Sequence, residues 1–157
     1  MLDGVYKLVA VEGPGGVIQP KIKISEDTAK ITNPHFKKFY RFYDRDSGKA
    51  MADLLCLRDE TVDDTKPYAL FDPVATWKTK TLTNFTAREL QLPIFRAGRL
   101  VYETPSIEAI QSYCQAQVDT LWDEVKRFEN PHNYYVDLSE ALWTLKRDLC
   151  ARGSAQG

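Results

Sequence analysis

A chain of 157 residues that is 43% hydrophobic and 27% charged has the composition of a globular protein able to bury one core, which excludes a disordered chain. A net charge of -1 supplies no global field for nucleic acid, so any anion binding has to be local. No apolar run reaches the roughly 20 residues that cross a bilayer, and MLDGVYKLV lacks the order of a signal peptide, so the expectation is a cytoplasmic protein with no membrane partner.

In chain order, GVYKLVAV (4–11) and Val17-Ile18 read as two strands around Gly13-Pro14-Gly15-Gly16. A third short strand is expected at Lys21–Ser25, where Ile22 and Ile24 alternate with polar residues. FYRFY and MADLLCL flank the polar, Gly-ended turn Asp44–Gly48 and resemble a hairpin. A further hairpin is expected around Ala97-Gly98, with Pro93 marking an edge or bulge in its first strand.

The last third changes period. Ile107, Ile110, Cys114, Val118, Leu121, Val125 and Phe128 share one helical stripe, with Ser106 as N-cap and Pro131 as terminator. Asp137 and Glu140 read as a capping box opening a second helix striped by Leu138, Leu142, Leu145 and Leu149. The predicted fold class is α+β: antiparallel strands and hairpins in the first two thirds, followed by two C-terminal amphipathic helices. Residues 1–150 form one domain in this reading, and 151–157 a flexible tail.

Chemistry-bearing motifs are scarce. Asp44-Arg-Asp-Ser-Gly48 begins like a calcium loop, but its twelfth position is Leu55 where a bidentate Glu is needed. His35 and His132 lack zinc spacing, no nucleophile setting of the GxSxG kind occurs, and the Gly-rich turn lacks the end of a phosphate-binding loop. No metal and no catalytic residue are predicted. The acidic run from Asp59 to Asp64 reads as a solvated loop. Cys56, Cys114 and Cys150, odd in number and set among apolar residues, are expected to be reduced, buried and inert. Trp122 and Trp143, at the margins of helical stripes, are expected to serve helix packing.

One window stands out. Residues 21 to 44, KIKISEDTAKITNPHFKKFYRFYD, gather six Lys and Arg. Its aromatics beside Lys37, Lys38 and Arg41 imitate a single-strand binder. Strand alternation, however, separates Tyr40 and Phe42 from the face that Phe39 and Tyr43 share with Arg41, and one face must be core. With no second basic stripe in the chain, a nucleic-acid partner is not expected.

The joint order of GVYKLVAV, KISED, KITNPHFKK, YRFYD and KRFENPHNYYVDLSEALWTLKRDL, from Gly4 to about Leu149, resembles the C-terminal domain of bacterial nicotinate phosphoribosyltransferase. Across the basic window that family usually has K-(I/L)-S-E, then K-x-T-x-P-G-x-K, then an aromatic and Arg. Lys23, Ser25, Glu26, Lys30, Thr32, Pro34, Lys37, Tyr40 and Arg41 match this pattern. His35 stands where Gly is usual, and a non-Gly residue resists positive φ.

The resemblance implies part of an enzyme that joins nicotinate to 5-phosphoribosyl 1-diphosphate, with ATP hydrolysis, to give nicotinate mononucleotide for NAD biosynthesis. It implies an irregular α/β barrel with flanking domains, a homodimer, and N-terminal and barrel domains as the partners of this one. The Gly-rich phosphate loop, catalytic histidine and nicotinate contacts of the family have no counterpart in these residues, so the domain alone is expected to be inactive. ATP and magnesium belong, by resemblance, to the full enzyme, and this domain holds no cofactor. Lys30, Lys37 and Arg41 are the candidate phosphate-binding residues, because charge-assisted contacts suit a phosphorylated substrate. The alternatives are a structural or dimerisation module, in which these residues fix an interface, and a free-standing anion-binding domain.

Overall fold

A computed structural model describes residues 4–154. Strands occupy the first two thirds and helices the end, which makes the fold α+β. The contacts divide the chain into two compact units. Among the described residues, the first takes in 4–38, 55–60 and 138–154, and the second 39–54 and 61–137.

The first unit opens with the antiparallel pair β1 (Ala10–Glu12) and β2 (Ile18–Pro20), in the register Ala10↔Pro20. The strand expected at Lys21–Ser25 does not form. Lys21 N donates to Val9 O, Lys23 N to Thr32 Oγ1 and Thr32 N to Lys23 O, so the segment bonds to loops instead of to a partner strand. Ile24 is correspondingly exposed. At the chain's end, α3 (Glu140–Ser154) buries Leu142 completely. Its N-cap is Ser139 and not Asp137: Leu142 N donates to Ser139 Oγ and Trp143 N to Ser139 O. Residues Val136–Leu138 are extended in β10, so Asp137 lies too early to cap the helix. The helix takes in Ala151–Ser154, and Gly153 lets Ile24 Cδ1 approach where a Cβ would stand. The rest of the expected tail, 155–157, lies outside the described residues.

A four-stranded sheet runs in the order β10-β4-β3-β7, with β3 (Lys37–Asp44), β4 (Ala50–Leu57) and β7 (Phe85–Glu89). The β3–β4 hairpin turns at Asp44, as its polar sequence predicts. Asp44 Oδ1 accepts from the Ser47 amide and hydroxyl, which hold its carboxyl below the usual range. In the second unit β3 and β7 pair antiparallel in the register Phe42↔Ala87. Tyr40 and Phe42 point into the core as alternation requires, and Phe42 meets Phe85 edge-on at 5.0 Å. Leu54, Leu70 and Leu82 are fully buried as well. The last two belong to an unanticipated hairpin, β5 (Tyr68–Phe71) with β6 (Thr79–Leu82).

The hairpin expected at Ala97-Gly98 is present but short, β8 (Phe95–Arg96) against β9 (Arg99–Leu100). Both turn residues have positive φ, 46° and 75°, the pairing that matches a two-residue loop to strand twist. The long helix expected from Ile107 to Phe128 is broken into α1 (Ile107–Asp119), capped by Ser106, and α2 (Asp123–Lys126). The break coincides with contacts from residues distant in sequence. Lys49 Nζ takes the carbonyls of Asp119 (2.8 Å) and Leu121 (3.3 Å), Ala50 N takes that of Thr120, and the Thr120 hydroxyl takes that of Gln117. Carbonyls used this way no longer serve the helical ladder.

Only Cys56 is buried. Cys150 is half-buried, and Cys114 is exposed because none of α1 is buried, which corrects the expectation of three interior thiols.

Candidate functional site

The basic window places its candidate cations in different settings. Lys30 ends a single 3₁₀ turn capped by Asp27, whose Oδ1 accepts from Ala29 N. Its ammonium lies 3.2 Å from Asp27 Oδ2, and the side chain is 69% exposed, so the pairing is weak and leaves the charge in water.

Lys37 points back into its own motif. Its Nζ donates to the carbonyl oxygens of Asn33 (2.8 Å), Pro34 (3.3 Å) and His35, which uses all three N–H donors of an ammonium. Partial burial holds the Lys37 pKa below its ordinary value. The carbonyls converge because the chain turns sharply at His35, with φ 69°. Around the turn Pro34 is buried, His35 N donates to Val9 O, Phe36 O accepts from Arg58 N, and Lys146 of α3 reaches Asn33 Oδ1 at 3.0 Å. The K-x-T-x-P-G-x-K pattern therefore encodes a loop wound around its last lysine. Positive φ explains why glycine suits the position that His35 occupies.

Arg41 belongs to the second unit. Its Nε and Nη2 each lie 2.8 Å from one oxygen of Asp53, which is buried. Tyr134 adds a third edge: its hydroxyl donates to Asp53 Oδ1 at 3.0 Å, and its ring lies 5.8 Å from the guanidinium. The carboxylate holds Arg41 protonated well above its ordinary range, while burial, reinforced by Asp53, pushes the Tyr134 phenol up. Opposite Arg41 on β7 stands Arg88, whose charge is taken by Gln117 Oε1 at 2.7 Å and by the Tyr43 ring. The face predicted for Arg41, Phe39 and Tyr43 is thus a half-buried polar layer. Alternation could locate it, but Asp53 and Tyr134 carried no motif that pointed to them.

Tyr134 also lines two adjoining cavities of about 410 and 770 Å³, which share residues His132 to Tyr135. The smaller has Trp122 and Lys80 in its wall, with the Lys80 ammonium 5.0 Å from the centre of the Tyr135 ring. Trp122 is 45% exposed at this cavity mouth instead of packed between helices. Asp44 and Glu124 outnumber the lysine, so the lining does not select for anions. Among the described residues no group of three or more His, Cys, Asp or Glu side chains is placed to hold a metal ion. The acidic run is used locally, Asp63 by Thr65 and Lys66, Asp64 by Arg45. No described helix is long and apolar enough to cross a membrane.

The α+β module with its lysine-centred loop defines a class, and the comparisons give that class a family. The sequence matches the nicotinate phosphoribosyltransferase C-terminal domain over residues 36–146, and the chain belongs to that family. It is 43% identical over 145 residues to the nicotinate phosphoribosyltransferase of Bacillus subtilis (strain 168), covering 92% of this chain and 29% of the relative. The human protein of the same name is 33% identical over 150 residues, covering 96% and 27%. A crystal structure of human nicotinic acid phosphoribosyltransferase superposes with a TM-score of 0.73 at 26% identity, over 93% of this chain and 26% of that one. The chain therefore spans less than a third of the length of the curated relatives it matches.

Proposed function

We propose that this chain serves as the C-terminal domain of a nicotinate phosphoribosyltransferase that makes nicotinate mononucleotide from nicotinate and 5-phosphoribosyl 1-diphosphate, with ATP hydrolysis, for NAD biosynthesis. The observation that carries the reading is the family match over 36–146, together with relatives whose remaining length lies outside it. The domain's role is accessory: Lys37 and Arg41 position the fold through their own carbonyls and carboxylate, and Lys30 is the cation left facing water for a substrate phosphate. ATP and magnesium are held by other parts of the enzyme, which acts in the cytoplasm as a homodimer.

The test is a chimera in which this chain replaces the matched segment of the Bacillus subtilis relative. It should form nicotinate mononucleotide, and the chain alone should not. Lys30→Ala in the chimera should raise KM for 5-phosphoribosyl 1-diphosphate with little change in melting temperature. A soluble, folded chimera without activity, or turnover by the isolated chain, would refute the reading. An unchanged KM would remove Lys30 from the substrate site.

A further inference from the structure

α1 carries its apolar residues on a helical stripe, yet none of its thirteen residues is buried. Ile107 is 70% exposed, Tyr113 60% and Ile110 50%. A helix this short is marginal in water and draws its stability from packing an apolar face. Beside it the β8–β9 hairpin leaves Phe95 65% and Leu100 61% exposed. Between the segments leading into and out of that hairpin and α1 lies a groove of about 530 Å³, walled by Leu92, Ile94, Tyr102, Pro105, Ile110 and Tyr113, with no charged residue in its lining. At the hairpin tip Arg96 stands directly opposite Arg99, a like-charge pair that repels unless an anion joins it.

We infer that this groove and the α1 stripe dock an apolar segment flanked by carboxylates, contributed by the portion of the enzyme that lies outside this domain. The inference rests on the proposed function. Three observations select this occupant. The family match, residues 36–146, contains both the hairpin and α1, so the face belongs to the domain itself. In the Bacillus subtilis relative the aligned region is 29% of the chain, which leaves most of that polypeptide available in cis. A tethered segment binds at a high effective concentration, so a groove of this size suffices without the area a free partner needs. The arginine pair at the hairpin tip favours carboxylates on the occupant, a charge complement that the groove's own lining does not supply.

Hydrogen exchange measured on the isolated chain and on the chimera described above tests the assignment. Amides of α1 and β8–β9 should exchange about tenfold or more slowly in the chimera, while those around Phe42 and Phe85 stay alike. Ile110→Asp, or Arg96→Glu with Arg99→Glu where the first variant does not fold, should abolish the added protection. Equal exchange in chimera and isolated chain overturns the inference. So does a concentration-dependent dimer of the isolated chain, seen by sedimentation and lost with Ile110→Asp, because a second copy would then own the face. Protection without enzymatic activity leaves the docking intact and rejects the function, whereas activity without protection does the reverse.

Discussion

Arg41 and Asp53 form a two-armed ion pair in the second unit, with N···O distances of 2.8 Å on both arms and side chains only 20% and 6% exposed. Breaking such a pair leaves one charge stranded, at about 3–5 kcal/mol, whereas replacing both partners by apolar residues is often neutral. Arg41→Ala should therefore lower stability by about 3 kcal/mol, Arg41→Lys should recover only part of it, and Arg41→Met with Asp53→Leu should recover most. Urea unfolding of the four proteins measures this. If Arg41→Ala is as stable as the parent, the pair is not structural and the arginine is free for substrate.

Lys37 makes a different demand. Removing its ammonium leaves the carbonyls of Asn33, Pro34 and His35 facing one another without a donor. Lys37→Met should cost about 2 kcal/mol, from unsatisfied acceptors that water reaches only in part. In the chimera the loss should fall on melting temperature, with KM for the ribose diphosphate unchanged at a temperature where the variant is folded. A raised KM at unchanged stability would return Lys37 to the substrate.

His35 holds the turn that brings those carbonyls together, at φ 69°. The left-handed region costs a non-glycine residue roughly 1–2 kcal/mol, and glycine's greater freedom in the unfolded chain returns roughly 0.5–1 of it. His35→Gly should then stabilise by about 0.5–1 kcal/mol, and His35→Val, β-branched, should destabilise strongly. Thermal unfolding of the pair decides. A His35→Gly variant less stable than the parent would mean that the imidazole contributes more than its weak contact with Phe36 O at 3.4 Å implies.

What the sequence made legible follows from the range of the forces involved. Strand alternation located Tyr40 and Phe42 in the core, and the turn chemistry of Asp44–Gly48 located a hairpin, because both depend on neighbouring residues. The helix break at Thr120 was hidden, since it depends on Lys49 and Ala50, some 70 positions away in sequence. The cap of α3 was misplaced by two residues because Asp137 and Ser139 both have the right chemistry and only strand β10 excludes the first. At the candidate site the pattern singled out Lys30, Lys37 and Arg41, but it did not show that Lys37 turns to backbone carbonyls and Arg41 to Asp53. Neither kind of partner leaves a pattern in a single sequence.

Asp137, only 5% exposed, offers a pH-dependent prediction. Burial raises its pKa above the ordinary carboxylate range, Asp72 adds repulsion, and Lys80 offsets part of both. A carboxyl whose folded pKa is raised contributes stability that is fully present below its unfolded pKa, near 4, and is lost as pH climbs through the folded value. At pH 7 the ionised group is therefore a liability. Asp137→Asn should raise the melting temperature at pH 7 and leave it nearly unchanged at pH 3, flattening the fall between them. Asp72→Asn should not reproduce this gain, although it removes the repulsion: the Asp72 carboxylate accepts from the Ala75 and Val74 amides, which hold its pKa below the ordinary range and make its charge stabilising at pH 7. The measurement is thermal unfolding of the parent and both variants from pH 3 to 8. A parent profile that rises through this window, with Asp137→Asn less stable at pH 7, would show that the carboxylate is held by a favourable partner and that its burial is not the controlling effect.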